Sequence, residues 1–526
     1  MGADPRAKPH HQPPLPLRDR KGRVHLRSIN TIEVPHDRHD SDWKHWFDTG
    51  DCSRPIREGN NVTALLDGKE AFASMVEAIE TAHGPEHYIY LLGWWIDIDF
   101  PIPRNDNREP QDLGVLLYTA ARNGAQVRAM IWRNWTAKHL LDRNPIDYAQ
   151  QYIDQEVRSD QYPDANGALV IDHNTLRYGA HHQKILVVKG KQGLIGFCGG
   201  VDFNRDRVLP NVTNGSPLHD VHCRIQGPAA WDLLKIFVDR WRDHPETEDI
   251  DTAKGKLRGR KEGVPPAQGK LYVQIGRTFG NGRAYPGIEN KYGEHWYSFA
   301  RDGERTVRAQ ILHAIGEARR FIYFEDQYMS CKDLAFSLAQ QLKQIQSLII
   351  LITDTRISDF PDARARRLEF LEELAKWGGY DYHEKVVVCT RVAPDGTVSK
   401  ATQHAYVHAK VTIVDDKFAI IGSANANARG YSHDSEVVAG IFDESCDDTL
   451  AVHFAHKLRM RLWAEHLQMS EAEVFDPIGS AVHWRAGRGF VRPFDPNGLV
   501  GDDVSEAVWG HKWRWVPDAL VDPEAF

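Results

Sequence analysis

The stretch 408-HAKVTIVDDKFAIIGSAN-425 decides the fold expected of this chain. It opens with His-x-Lys, continues into a β-branched run and ends in a Gly-rich turn. An earlier stretch, 182-HQKILVVKGKQGLIGFCGGVD-202, repeats the same order of features. Alternate residues of an extended strand face the same side, so each His-x-Lys pair should point a base and a cation into one cleft.

The likeness between the two halves of the chain extends beyond these stretches. The first half contains FASMVEAIETA, HYIYLLGWWID, HDVHCRIQG and IFVDRWRDH, and the second half contains, in the same order, VRAQILHAIGEA, RRFIYFEDQYM, HDSEVVAG and LRMRLWAEH. Chance would rarely produce such a repeated order of motifs. Short apolar strands that alternate with helical stretches predict an α/β fold, in which helices cover a largely buried sheet.

Composition divides the chain into five segments. Residues 1–42 are basic and Pro-rich and predict a flexible arm, because they offer too little apolar surface to bury. Residues 43–245 and 271–470 are the two halves, joined by a polar connection at 246–270 that Gly and Pro interrupt. Residues 471–526 are a Trp-rich tail, which we expect to wrap over the core.

The overall composition is that of an ordinary globular protein. Hydrophobic residues make up 41% and charged residues 26%, and the formal net charge is −8. This charge provides no general attraction to nucleic acid or to anionic membranes, so any anion must be bound by a local cluster.

Three features of the sequence indicate the cellular compartment of the protein. No run approaches the roughly 18 apolar residues of a membrane span, and the N-terminus lacks the apolar segment of a secretory signal. Six scattered cysteines predict buried free thiols rather than a disulfide framework. We therefore expect a cytoplasmic or peripheral membrane protein, with export by a dedicated secretion system as an open alternative.

Two histidines and two lysines can supply what the cleavage of a phosphodiester requires. One neutral histidine attacks phosphorus to form a phosphohistidine, and the other, protonated, releases the alcohol and then activates water. Lysine ammonium groups stabilise the charge on the phosphoryl oxygens. The catalytic candidates are His182, Lys184, His408 and Lys410.

The second stretch resembles the complete signature of the phospholipase D superfamily, His408-x-Lys410-x4-Asp415-x6-Gly422-Ser423-x-Asn425. Other segments are similar to the eukaryotic-type branch of that family: GAHHQKILVV, GGVDFNRDR, LHDVHCRIQGPAAWD, YFEDQYM, GSANANARG, HDSEVV and LRMRLWAEHL. The likeness covers residues 62–467. It implies two similar α/β sandwich halves, each a mixed sheet flanked by helices, related by a pseudo-twofold axis with the active site at their interface.

The resemblance also implies roles for single residues. His182 would be the nucleophile and His408 the general acid and base, while both lysines bind the phosphate. The residues that orient the rings or bind phosphate would be Asp202, Asp220, Asp415, Ser423, Asn425, Asp434 and Glu436, and those that line the substrate pocket would be Trp94, Glu325, Gln327 and Tyr328.

More specific roles can be predicted for the residues that orient the rings. Each catalytic ring needs a partner on its other nitrogen, and Asp220 and Asp434 are the candidates, with Glu436 as a rival to Asp434. Asp202 occupies the position in the first half that Asn425 holds in the second. Ser423 and Asn425 should add hydrogen bonds beside the second histidine.

The first motif departs from the family pattern at one position. Lys189 stands where the family has Asp, seven residues after the histidine, and the turn that follows is three residues longer than its counterpart. We expect the Asp of a complete motif, Asp415 in the second half, to pin the turn that follows it. Its loss from the first motif should therefore leave an active enzyme.

No cofactor or metal is implied, because the chain has no H-E-x-x-H, C-x-x-C or aspartate-rich calcium loop. The resemblance implies a phospholipase D that cleaves phosphatidylcholine-like lipids at a membrane interface and transfers phosphatidyl groups to primary alcohols. Too little chain precedes Trp43 for calcium-binding or phosphoinositide-binding modules, so we expect calcium-independent activity of a monomer. No nucleic acid partner is expected.

Four alternatives remain open. A nuclease of the superfamily should show an extended basic surface, against which the acidic balance counts. A lipid-synthesising transferase would usually bring membrane helices. An antibacterial lipase effector would share the chemistry but have an immunity protein as its partner. An inactive scaffold is disfavoured because both His-Lys pairs are present.

Overall fold

The computed structural model describes residues 43–50, 53–106, 108–132, 145–176, 179–209, 218–280, 297–353, 363–392, 405–444 and 453–494. The predicted arm at residues 1–42 and residues 495–526 of the Trp-rich tail lie outside the described residues. Within the described ranges, strands and helices alternate as the apolar pattern predicts.

The first half begins with a long strand and ends with a long helix. Its strands are β1 (Ile56–Leu66), β2 (Tyr88–Gly93), β3 (Pro101–Ile102), β4 (Gln111–Asp112), β5 (Gln126–Trp132), β6 (Ala168–Asp172), β7 (Ile185–Gly190), β8 (Gly193–Gly199) and β9 (Val221–Gln226). Its helices are α1 (Asp67–Ile79), α2 (Leu113–Arg122), α3 (Pro145–Gln155) and α4 (Pro228–Asp243). Helix α1 buries Phe72, Val76 and Ile79, which recur at helical spacing along one face.

The second half repeats this order of elements. After α5 (Thr247–Lys254) in the connection, its strands are β10 (Leu271–Phe279), β11 (Glu304–Arg305), β12 (Phe321–Asp326), β13 (Ser347–Ile352), β14 (Val386–Arg391), β15 (Val411–Val414), β16 (Phe418–Gly422) and β17 (Glu436–Phe442). Its helices are α6 (Thr306–Glu317), α7 (Lys332–Gln341), α8 (Ala363–Gly378), α9 (Tyr382–Lys385), α10 (Ala428–Ser432) and α11 (Phe454–Leu467), and α12 (Pro477–Arg485) and β18 (Val491–Pro493) follow. In the part of the chain that the structure describes, no helix has the length and apolar character needed to cross a membrane.

One mixed sheet runs through both halves. Its order is β18-β14-β13-β12-β15-β16-β17-β10-β1-β9-β8-β7-β2-β5-β6, with β11 beside β10. In each half three parallel strands adjoin an antiparallel run of three: β2, β5 and β6 with β7 to β9, and β12, β13 and β14 with β15 to β17. Strand β1 joins the halves by pairing with β10 at its start and with β9 at its end. The repeated topology confirms the predicted fold class.

Helices cover both faces of this sheet. Helices α1 to α3 pack on the first half, and α6 to α8 pack on the same side of the second. Beneath α4 and α11 a continuous apolar core spans both halves. It holds Trp241 and Trp463, which occupy equivalent places in the repeat, and Trp484 of α12, whose ring lies 5.4 Å from that of Trp463. The described part of the tail thus packs on the core.

The connection packs against the first half along its course. Arg258 donates hydrogen bonds to the carbonyls of His87 at 2.8 Å and Gly124 at 2.6 Å. The Gly259 N–H donates to the Tyr90 hydroxyl at 3.1 Å. These contacts satisfy backbone groups at the edge of the parallel strands and hold the polar connection in place.

Candidate active site

The two His-x-Lys motifs meet where the halves meet. His182 lies three residues before β7, and His408 lies three residues before β15. The His182 N–H donates to the Ser435 carbonyl at 2.9 Å, and the His408 N–H donates to the His219 carbonyl at 2.7 Å. Each motif is therefore anchored on the opposite half by an equivalent contact, as a two-fold relation requires.

Each histidine ring has a carboxylate partner from the opposite half. His408 Nδ1 lies 2.8 Å from Asp220 Oδ2, and His182 Nδ1 lies 2.8 Å from Glu436 Oε1. The carboxylates are fully buried, whereas the rings keep 9% and 14% of their exposure. With Nδ1 engaged, Nε2 is the nitrogen available to chemistry in both rings.

The prediction that Asp434 is the ring partner of His182 is wrong, because Glu436 takes that place. Asp434 is held instead by Arg429, at 2.6 Å, and accepts the Ala180 N–H at 2.8 Å. Strand register explains the difference: Cys198 pairs with Cys223, and their counterparts Ile421 and Ala439 pair likewise. Asp220 and Glu436 each lie three residues before the second member of these pairs, so Glu436 and not Asp434 is equivalent to Asp220.

The lysine side chains lie beside the rings. Lys184 Nζ donates to the His182 carbonyl at 2.9 Å and lies 3.2 Å from Asp202 Oδ2. Lys410 Nζ donates to the His408 carbonyl and, at 3.2 Å, to Gln327 Oε1. The predicted arrangement of a base and a cation on one side of each strand is thus present twice.

Electrostatics couple the two motifs. Burial, followed by the charges of Lys184, Lys410 and Arg429, holds the pKa of His182 well below its usual range. Burial and then Lys410, with smaller contributions from Arg207 and Lys184, does the same for the pKa of His408. Because the charges of both lysines act on each ring, the two motifs lie close together, and their lysines can bind an anion.

Ser423 serves the opposite half-site from the one predicted. Its hydroxyl donates to Glu436 Oε2 and accepts the Val437 N–H at 3.0 Å, so it orients the partner of His182 and not groups beside His408. Within the described residues, the buried Oδ1 of Asn425 has no hydrogen-bond partner and is available to a ligand. Asp202, the counterpart of Asn425, accepts the Trp94 N–H at 2.9 Å and neutralises Lys184.

Glu325 does not line a pocket, contrary to the prediction. It is fully buried, because the fold points it away from the cleft and toward His219 and His466, at 2.8 and 3.0 Å, with the Tyr323 hydroxyl at 2.7 Å. Gln327 does reach the site, since it bonds Lys410.

The remaining predicted pocket residues lie near the motifs. The Tyr328 hydroxyl accepts a hydrogen bond from Gln327 Nε2 at 2.8 Å. The Trp94 ring stands edge-on to His182, with centroids 6.5 Å apart, and stacks on Trp132 at 5.8 Å. Aromatic surface therefore lies beside the first histidine.

Asp415 pins the start of β12 rather than the turn that follows it. Its carboxylate accepts the N–H groups of three consecutive residues, Arg319, Arg320 and Phe321, at 2.6–2.8 Å. At the equivalent position of the first half, Lys189 lies inside β7 and bonds Glu262 of the connection at 2.7 Å. The three extra residues lengthen β7 and β8 and not the turn between them, which is the two-residue Lys191–Gln192.

Sequence reasoning missed three residues near the two half-sites, Arg207, Arg429 and His219. Arg207 Nε lies 3.6 Å from Asp220 Oδ2, and Arg429 pairs with Asp434 and lowers the pKa of His182. His219 precedes Asp220 and is enclosed by carboxylates. All three occur in quoted segments, GGVDFNRDR, GSANANARG and LHDVHCRIQGPAAWD, so their motifs were a usable signal.

Two groups of described side chains have the chemistry of metal ligands. They are His219 with Glu325 and His466, and Asp67 with His219 and Glu465. Hydrogen bonds already join His219 to both Asp67 and Glu325 at 2.8 Å. The four residues of the His-x-Lys motifs are not among these groups.

Comparison with known proteins shows the family of the chain. The family described as Phospholipase D matches residues 81–211 and 206–360, more than half of the chain, and the family described as Cardiolipin synthase, PLD-like domain matches residues 311–458. The chain is 24% identical to phospholipase D alpha 1 of Cynara cardunculus and of Ricinus communis, over 73% and 80% of its length. It spans 62% and 66% of the length of those relatives.

A solved structure shows the same fold. The phosphatidylserine synthase of Haemophilus influenzae superposes with a TM-score of 0.56 at 15% identity, covering 89% of this chain and 97% of the synthase. The duplicated topology, the paired His-x-Lys motifs and the family match lead to one conclusion: the chain belongs to the phospholipase D superfamily.

Proposed function

We propose that this protein is a phospholipase D, which hydrolyses phosphatidylcholine-like glycerophospholipids to phosphatidic acid and a head-group alcohol. The observation that carries the proposal is the pair of largely buried rings, His182 and His408, each with a carboxyl group on Nδ1 and both beside two lysines. This set provides a nucleophile, an acid and positive charge for a phosphodiester. The 24% identity to plant phospholipases D supports the choice of lipid substrate.

In the proposed first step, His182 Nε2 attacks phosphorus and forms a P–N bond while the bond from phosphorus to the head-group oxygen breaks. His408 gives its proton to the departing alkoxide, and Asp220 stabilises the ring while it is charged. Lys184 and Lys410 balance the charge on the non-bridging oxygens. Glu436 holds His182 so that Nε2 faces the phosphate.

In the second step, water attacks the phosphohistidine and gives a proton to His408. The P–N bond breaks, and phosphatidic acid leaves with His182 restored. A primary alcohol that takes the place of water yields a phosphatidyl alcohol by the same route. We propose that the enzyme performs both reactions on lipid at a membrane surface.

The test is incubation of the purified protein with phosphatidylcholine and butanol. We expect phosphatidic acid and phosphatidylbutanol, and we expect His182→Ala and His408→Ala each to lower turnover by at least about 10³-fold. Circular dichroism should show that both variants are folded. The absence of product from folded wild-type protein across several head groups would contradict the lipid substrate, and near-normal rates in either variant would contradict the two-histidine mechanism.

A further inference from the structure

The first His-x-Lys motif has a second polar face, which the reaction described above does not use. Because alternate residues of an extended segment point to opposite sides, Gln183 faces away from His182 and Lys184. Its side chain is fully buried, and so is that of Arg240 on α4. Arg240 Nη1 donates to Gln183 Oε1 at 3.1 Å, and Gln183 Nε2 donates to the Glu436 carbonyl at 3.0 Å. A guanidinium and one amide thus join α4 to the residue that holds the His182 ring.

The orientation of the Gln183 amide is fixed by its partners. A guanidinium has only donors, so the amide must turn its oxygen to Arg240 and its nitrogen to the Glu436 carbonyl. Arg240 is itself held by Asp172 at the end of β6, with Nη2 2.6 Å from Oδ2. Because the guanidinium is planar and rigid, the nitrogen that reaches Gln183 is placed by the nitrogen that binds the carboxylate.

A second connection runs from Asp172 to the same two segments. Asp172 Oδ1 lies 3.2 Å from His181 Nε2, and His181 Nδ1 lies 2.7 Å from the Ser435 hydroxyl. The backbones join there as well, since the His182 N–H donates to the Ser435 carbonyl and the Ser435 N–H donates to the Ala180 carbonyl, both at 2.9 Å. The segments that carry His182 and its carboxyl partner come from opposite halves and are thus fastened to each other and to α4.

The second half has apolar residues at the equivalent places. Leu462 stands at the position of Arg240, one residue before the tryptophan of α11, and Ala409 stands at the position of Gln183 within its motif. Both are fully buried in the core that the halves share. The repeated fold is therefore packed at these places without polar groups, and burying an ion pair and an amide has a desolvation cost. A buried polar set that the repeated fold does not require indicates a role in the site.

We propose that Gln183 and Arg240 are positioning residues of the phosphodiester reaction. Arg240, held by Asp172, orients the Gln183 amide, and the amide holds Glu436 so that its carboxyl group keeps His182 Nε2 toward the phosphate. The inference rests on the proposed function, in which His182 is the nucleophile. Both residues act through Glu436 and do not touch the reacting atoms.

The half-site of His408 provides an internal comparison. Among the described residues, neither Gln183 nor Arg240 bonds His408 or its carboxyl partner Asp220. Loss of either side chain should therefore disturb the hydrogen bond of the His182 ring and leave that of the His408 ring. A purely structural role predicts a loss of stability without this difference between the rings.

Three variants separate these roles. Gln183→Met keeps the length of the side chain and removes both hydrogen bonds without adding charge. Arg240→Lys keeps a charge for Asp172 but lacks the planar fork that also reaches Gln183. The matched control is Gln310→Met, because Gln310 is an equally buried glutamine, on α6, whose amide bonds Gln274 of β10. Circular dichroism and denaturant unfolding measure the folding and stability of each variant.

The first measurement is proton nuclear magnetic resonance of the full chain. The proton between each catalytic ring and its carboxyl partner should give a far-downfield signal, assigned by its loss in His182→Ala or His408→Ala. In Gln183→Met and Arg240→Lys we expect the His182 signal to shift or vanish and the His408 signal to stay, whereas Gln310→Met should keep both. An unchanged His182 signal, or equal changes in both signals, overturns the inference. If Gln183→Met does not fold, Arg240→Lys decides the measurement.

Kinetics connect the inference to turnover. Because both lysines are untouched, Gln183→Met should lower kcat by about tenfold or more and change KM by less than about twofold, while Gln310→Met should keep kcat within about twofold of the wild type. A loss confined to KM, or a kcat equal to that of the control, contradicts the positioning role. If the wild-type protein cleaves no lipid, the proposed function fails, and the resonance measurement still decides whether Gln183 and Arg240 position the His182 ring.

Discussion

The rings of His182 and His408 face the same electrostatic problem, because burial and two nearby lysines disfavour their protonated forms. The proposed reaction nevertheless needs one protonated ring. A bound phosphate can resolve this conflict, since its negative charge offsets Lys184 and Lys410 and raises the pKa of both rings. Burial also lowers the pKa of Lys410, to about 8, and a bound anion would stabilise its protonated form as well.

We therefore predict that an anion binds together with a proton. The rings have low pKa values in the free protein, and the anion raises them, so binding should take up about one proton per site and weaken as the pH rises. Calorimetry with sulfate, which does not titrate near neutrality, in buffers of different ionisation enthalpy measures this uptake. The double variant His182→Ala/His408→Ala is the control. Uptake that persists there would assign the proton to another group.

At the scale of single elements, the register of β17 decides which carboxylate serves His182. Asp434 and Glu436 are two residues apart, and only Glu436 reaches the ring. Asp434 closes an ion pair with Arg429 and caps the Ala180 N–H. The sequence motifs HDVH and HDSE suggest that the two HD pairs correspond, but the hydrogen-bonded ladder aligns Asp220 with Glu436 instead.

Two matched substitutions test this register. Glu436→Gln keeps the shape of the side chain but puts an amide in place of the carboxyl group that fixes the tautomer of His182, and it should lower kcat by at least about 10²-fold. Asp434→Asn can still accept the Ala180 N–H and should lower kcat by less than about tenfold, or 1.4 kcal/mol. Steady-state rates of both variants decide the question. The reverse ranking would show that Asp434 is the true partner.

The strands around Asp415 and Lys189 also explain why the first His-x-Lys motif lacks an Asp. Asp415 satisfies three N–H groups at the start of β12, whereas the first half uses Lys189 within the longer hairpin of β7 and β8. Lys189 pairs with Glu262, which also accepts the Tyr88 hydroxyl at 3.1 Å. The lysine therefore fastens the connection to the sheet and does not contact the reacting groups.

At the scale of the whole molecule, contacts such as Lys189 with Glu262 hold the connection against the sheet of the first half. We predict that Lys189→Asp lowers the free energy of unfolding by about 1 kcal/mol, because it places a carboxylate opposite Glu262. Activity should change by less than about tenfold, or 1.4 kcal/mol. Denaturant unfolding and turnover of the same preparation measure both effects. The swapped pair Lys189→Asp/Glu262→Lys should recover stability, and a large gain in activity from Lys189→Asp would show that the natural enzyme is impaired.

At the scale of the whole molecule, each half contributes residues to the half-site of the other. Each His-x-Lys motif takes its ring partner and its backbone anchor from the other half. Neither half contains a complete site, so the strand β1 that joins their sheets and the core shared beneath α4 and α11 are preconditions for chemistry.

The sequence by itself determined the duplicated α/β fold, the superfamily and the four residues of the two motifs. These depend on local order and on the two-residue period of a strand, which a single chain displays directly. Only the tertiary structure decided that Glu436 serves His182, that Ser423 supports it, and that Glu325 turns inward to His219. The physical reason is distance along the chain: Glu436 is 254 residues from His182, and strand register and interface packing select such partners.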